Sequence, residues 1–114
     1  MITVYGLKNC DTCRKAIKWL DTEGIDHEFR DLRKDGFTPN DVMVWLAAVG
    51  PVTLINRKGT TWRQLDDYQK MVSNDEDLTA LVMEYPAILK RPIFIEGDAV
   101  IVGFKDDERA ELKA

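Results

Sequence analysis

The sequence predicts an α/β domain, a mixed four-stranded sheet that carries an inserted helical lobe. Three observations predict it. Runs of β-branched and aromatic residues lie near both ends of the chain, with helix-period patterns between them. The first run passes through a short loop into a helix pattern and then a second strand, a βαβ unit complete by residue 30. The last two runs flank a glycine-containing turn, the signal of a hairpin.

Ile2-Thr3-Val4-Tyr5 reads as the first strand and Gly6-Leu7-Lys8-Asn9 as its loop. Cys13, Ala16, Ile17 and Leu20 recur at three and four residues, so a helix with one buried face follows and Gly24 ends it. His27-Glu28-Phe29-Arg30 is the second strand, and a crossover of this length makes the pair parallel. Thr38-Pro39-Asn40-Asp41 places Thr38 at N-cap, proline at N1 and an acid at N3. Val42, Trp45, Leu46 and Val49 line one face of that helix, and Gly50-Pro51 is expected to stop it. A short segment, Val52-Thr53-Leu54-Ile55, leads to the turn Asn56-Arg57-Lys58-Gly59-Thr60-Thr61. Ser73-Asn74-Asp75-Glu76 reads as another capping box, feeding Leu78, Leu81, Val82 and Tyr85 before Pro86. Pro92-Ile93-Phe94-Ile95 and Ala99-Val100-Ile101-Val102 pair across Glu96-Gly97-Asp98, taken as a three-residue turn, and residues 106–112 form a last helix. The order β-α-β, helical insertion, β-β-α is thioredoxin-like. It implies a single domain over residues 1–114 with the inserted lobe at about 37–90.

Net charge is −4 with the two signs interspersed, which excludes a general polyanion binder and leaves room for a local anion site. No direct nucleic-acid partner and no membrane are expected, since no apolar stretch approaches spanning length. The N-terminus reads as a strand rather than a signal peptide, so the expectation is a cytoplasmic protein, taken as a monomer. Two cysteines and one histidine, His27, are too few for a closed zinc site, so no metal and no bound cofactor are expected. His27 reads as a structural strand residue, and Trp19, Trp45 and Trp62 as packing residues.

In a reducing compartment the pair Cys10-Asp11-Thr12-Cys13 points to thiol chemistry. Cys10 falls at the start of a helix, where unpaired N–H groups and the helix dipole favour a thiolate. Cys13, one turn on, can resolve a mixed disulfide by attacking Cys10, or can simply pack with Ala16 and Ile17. Asp11 opposes the thiolate and Lys8 offsets it if it points inward. Arg91-Pro92, just before the third strand, would face the helix start. Pro92 is then a cis-proline or an ordinary strand-initiating one, and Arg91 offers a planar donor fork to an anion. Arg57 and Lys58, with two hydroxyls and Gly59, form either an anion-holding turn or a solvated basic loop.

Four segments carry a family resemblance: Tyr5-Gly6-Leu7-Lys8-Asn9-Cys10-Asp11-Thr12-Cys13, residues 54–63 around Asn56-Arg57-Lys58-Gly59, residues 86–92 ending in Lys90-Arg91-Pro92, and Val102-Gly103-Phe104. With them the chain resembles the glutaredoxin-linked arsenate reductases, the ArsC family, which also includes the Spx/MgsR regulators. It looks closest to a short branch of ArsC-like reductases linked to glutathione. The resemblance implies Cys10 as the catalytic nucleophile, Arg57 and Arg91 as oxyanion donors and Pro92 as the cis-proline. It further implies glutathione as co-substrate and glutaredoxin as a partner. The third arginine of the reductases would fall near Gly103 and is absent. One charge-assisted donor of that kind is worth on the order of 2 kcal/mol, which weakens the case for arsenate. Cys13 instead resembles the regulator branch, where Cys-x-x-Cys is a redox switch and the partner is the RNA polymerase α-subunit. The function expected is a glutathione-linked thiol oxidoreductase, with arsenate reductase and redox-sensing regulator as the alternatives.

Overall fold

A near-continuous run of buried residues makes β1 (Ile2–Gly6) the strand around which a four-stranded sheet is built, in the order β2-β1-β3-β4. A computed structural model describes this for residues 1–113 of the chain. β2 (His27–Asp31) runs parallel to β1 with Val4 opposite Phe29. β3 (Ile93–Glu96) is antiparallel to β1 with Val4 opposite Phe94, and β4 (Ala99–Val102) closes the hairpin. The mixed sheet and its crossover are thioredoxin-like.

The chain divides into two compact units, one of Met1–Gly36 with the segment from Arg91 onward, the other Phe37–Lys90. In the sheet unit, α1 (Asp11–Thr22) lays Ala16 and Leu20 on Ile2, Val4 and Phe94, all 2% exposed or less. Each large side chain so buried contributes about 1.5–3 kcal/mol. Phe104 joins this core, edge-on to Trp19 at 5.5 Å between ring centroids. α6 (Asp106–Lys113) follows, with Leu112 packed against the same cluster. The hairpin turn is tighter than expected: Glu96 pairs with Ala99, leaving two residues, Gly97 and Asp98. Gly97 takes φ +59°, the left-handed region a two-residue turn requires at its first position.

The helical unit begins with the predicted cap. Thr38 accepts the Asp41 N–H at 3.1 Å and the Asp41 carboxylate accepts the Thr38 N–H at 2.9 Å, with Pro39 opening α2 (Pro39–Leu54). Gly50-Pro51 kinks this helix instead of stopping it. Gly50 leaves the helical region at φ +81°, and one further turn runs to Leu54 because a proline is tolerated at the start of a turn. Ile55 then pairs with Leu89 as an isolated bridge. The expected turn at Thr60-Thr61 is instead a short helix, α3 (Thr60–Gln64), which Gly59 caps. Asp66 and Gln69 form a capping box for α4 (Asp67–Lys70), a helix not anticipated from the sequence. The cap of α5 (Asp75–Glu84) is Asn74 rather than Ser73: its side chain accepts the Asp77 N–H at 2.7 Å, one position later than expected. Trp45 stacks on Phe37, and the Arg57 guanidinium lies 5.6 Å from the Trp62 ring. No helix among the described residues is long and apolar enough to cross a membrane.

Candidate active site

The loop between β1 and α1 sets the site. Its geometry begins with Asp31, at the end of β2 and only 7% exposed. The Asp31 carboxylate accepts the backbone N–H groups of Arg33 and Lys34 at 2.8 and 2.9 Å, closing its own turn. It also accepts the Lys8 N–H at 3.1 Å, across 23 residues of sequence. These donors, led by Lys34, hold its pKa below the usual carboxylate value. With Lys8 anchored, the Cys10 N–H donates to Leu7 O at 3.1 Å and Cys10 becomes the N-cap of α1.

Cys10 is in the extended region and its side chain makes no capping bond, so the sulfur is left for other partners. Burial opposes its ionisation, but the opposing effects win. The Cys13 N–H and the Cys13 thiol donate to its sulfur, and the Arg91 guanidinium adds a hydrogen bond and a positive charge, so the Cys10 pKa falls. Cys13 is 1% exposed. Burial, reinforced by the neighbouring Cys10 sulfur, pushes its thiol up to about 12. Cys10 is therefore the thiol of the pair that ionises the more readily.

Room for this arrangement comes from Gly6. A Cβ there would lie 2.5 Å from Cys13 Sγ and 3.3 Å from Phe29 Cε1, so no other residue fits without displacing the thiol. Neither Gly6 nor Asp31 is marked as functional by the sequence. Gly6 could have been found only by asking what stands beneath Cys13 across a strand end. Asp31 could have been found as an acid that closes a strand in a turn-rich segment.

Of the residues singled out from sequence, Cys10, Cys13, Arg91 and Pro92 meet in the sheet unit. The Arg91–Pro92 peptide bond is cis, and Pro92 O accepts the Gly103 N–H at 2.9 Å. Lys8 stays exposed, and the cation acting on Cys10 is Arg91. Asp11 does not oppose the thiolate as expected, because its carboxylate is ion-paired to Arg14 one turn on. Arg57 belongs to the helical unit and is exposed, held over Trp62. His27 is structural: Nδ1 donates to Ile25 O at 2.8 Å. Gly103 stands at φ +97°, where an L side chain is strained, so the arginine missing there has no unstrained place in this backbone. Among the described residues no group of three His, Cys, Asp or Glu is gathered to hold a metal.

A cysteine of lowered pKa at a helix N-cap position, backed by a buried thiol, an arginine and a cis-proline on a thioredoxin-like sheet, defines a thiol-dependent redox protein. Residues 5–112 match the ArsC family, and the chain belongs to it. Among solved structures, it resembles a protein named YFFB at 36% identity, with all of both chains covered and a TM-score of 0.92. An arsenate reductase-related protein of Brucella melitensis is 34% identical, over 96% of this chain and 92% of that one, with a TM-score of 0.78. The global transcriptional regulator Spx 1 of Bacillus cereus is 28% identical over 95% of this chain and 83% of its own length. At family level the function is that of a thiol oxidoreductase.

Proposed function

We propose that this chain is a glutathione-linked thiol oxidoreductase acting on small anionic or glutathionylated substrates in a reducing compartment, the cytoplasm. The observation that supports it is the opposed ionisation of the two thiols, Cys10 lowered and Cys13 raised. The Cys10 thiolate attacks the glutathione sulfur of a mixed disulfide. A Cys10–glutathione disulfide forms, and the substrate leaves as a thiolate that takes a proton from solvent. A glutathione thiolate then attacks the glutathione sulfur of that adduct, forming oxidised glutathione and restoring the Cys10 thiolate. The sum is one mixed disulfide and one glutathione converted to one free thiol and one oxidised glutathione.

Cys13 offers the second exit. In the adduct Cys10 is no longer an anion, so its charge no longer raises the Cys13 pKa and burial is the main effect left that does. Cys13 then gives its proton to solvent and attacks Cys10 Sγ, releasing glutathione and leaving a Cys10–Cys13 disulfide for two further glutathione thiols to reduce. Arg91 steers the anionic substrate, and Arg57 joins the reading through the sequence resemblance as a second donor. The test is formation of oxidised glutathione from a glutathionylated peptide. Cys10→Ser abolishes it, Cys13→Ser leaves the monothiol route, and full activity in Cys10→Ser would overturn the proposal.

A second reading is favoured by the likeness to Spx 1 and by the Cys10–Cys13 hydrogen bond, which holds the thiols within reach of disulfide formation. In it the pair is a redox switch on a protein that binds the RNA polymerase α-subunit. A pull-down of that subunit by the reduced and oxidised protein decides it, and absence of binding in both states sinks it. Arsenate itself is the weaker substrate, because Gly103 supplies no third guanidinium.

A further inference from the structure

Gly6 is pinned to the neighbouring strand. Its carbonyl accepts the Leu32 N–H at 2.8 Å, and it stands opposite Asp31 in the β1–β2 ladder. Cys13 is held as firmly, because α1 buries Ala16 and Leu20, each 0% exposed, in the core one and two turns further on. The Gly6 Cα and the Cys13 sulfur therefore meet with neither backbone free to withdraw. A Cβ on residue 6 would lie 3.3 Å from Phe29 Cε1, which a partly exposed ring can accommodate. It would also lie 2.5 Å from Cys13 Sγ, and there the sulfur must yield.

A side chain yields by stepping between staggered positions, and one such step carries Sγ through about 3 Å. Where it now lies, Cys13 Sγ accepts the Leu7 N–H and gives its own proton to Cys10 Sγ. A displacement of that size takes it off both partners. We propose that Gly6 is a positioning residue for the resolving thiol: its bare Cα seats Cys13 Sγ between Leu7 N–H and Cys10 Sγ and so opens the dithiol exit. A side chain at residue 6 would leave Cys10 with the monothiol route alone. This inference rests on the exchange reaction proposed above and assigns what decides between its two exits.

The equilibrium of the Cys10–Cys13 pair in a glutathione redox buffer, read by alkylation of free thiols, tests it without any substrate. Gly6→Ala is expected to shift that equilibrium at least about tenfold toward the dithiol. It is also expected to raise the Cys10 alkylation midpoint as far as Cys13→Ala does. Gly6→Ala/Cys13→Ala should raise it no further, since the same donor can be lost only once. A glycine needed only for folding would lower the denaturant midpoint and leave both readings unmoved, which would overturn the proposal. If Gly6→Ala does not fold, the double variant decides: folding recovered once the sulfur is gone supports the seat, and failure of both overturns it. The Cys10→Ser turnover measurement stands apart from these readings. Full turnover there would refute the exchange reaction, whereas an unmoved equilibrium in Gly6→Ala would refute only the positioning role.

Discussion

Two cysteines three residues apart differ in ionisation because one side chain looks out of a helix start and the other into the core. Cys10 gains donors that Cys13 lacks, and Cys13 is buried among groups that give its anion little in return. The rate of Cys10 alkylation by iodoacetamide should therefore rise with pH about a midpoint below that of an ordinary thiol. Arg91→Ala removes a hydrogen bond and a charge, so the midpoint moves up and the rate at neutral pH falls severalfold. Cys13→Ala moves it in the same direction by deleting a donor, whereas Cys13→Ser keeps a donor and moves it less. An unmoved midpoint in both Arg91→Ala and Cys13→Ala would contradict this account. Cys10, Cys13 and Arg91 were legible in the sequence because reactive residue types announce their chemistry. Gly6 was not, because its role is an absence of atoms at a distance that only the packed strand and helix define.

The elements were legible where local rules decide them. The Thr38-Pro39-Asn40-Asp41 cap and the β4 boundaries follow from side-chain chemistry within a few residues. Gly50-Pro51 misled because a proline can begin a new turn as well as end an old one. The β1–α1 loop depends on a contact no local rule contains, the bond from Lys8 N–H to Asp31. Asp31→Asn keeps the size of the side chain but replaces one acceptor oxygen by a donor, leaving a backbone N–H unpaired at a cost of about 1–3 kcal/mol. The folded-state pKa of Asp31 is lowered, so its contribution is present above the ordinary carboxylate value and lost as pH falls through the lowered one. Chemical denaturation of the wild type should thus show stability declining on acidification, and Asp31→Asn should start lower and decline less. The variant should also raise the Cys10 alkylation midpoint, because the loop that presents Cys10 as the N-cap is no longer anchored. A variant equal to wild type in both measurements would rule out the anchoring role.

At the scale of the molecule, the insertion of residues 37–90 means that the sheet unit is closed by a distant segment, and Arg91-Pro92 is where the chain re-enters it. The two thiols that this closure brings to Arg91 make opposite contributions to stability as pH rises. Cys10 is lowered in the folded chain, so ionising it favours folding between its own midpoint and the ordinary thiol value near 9.0. Cys13 is raised to about 12, so above pH 9.0 the unfolded chain loses a proton that the folded chain retains. Folding then loses up to about 1.4 kcal/mol per pH unit from this one group, a loss that continues until the folded thiol itself ionises. Lysines and tyrosines titrate in the same range, so the informative quantity is the difference between wild type and Cys13→Ala in denaturant midpoint. Under reducing conditions the wild-type midpoint should fall more steeply than the variant's from pH 9.0 upward. Parallel curves would mean that the Cys13 thiol is no harder to ionise in the folded chain than in the unfolded one, and the division of labour between nucleophile and resolving thiol would lose its electrostatic basis.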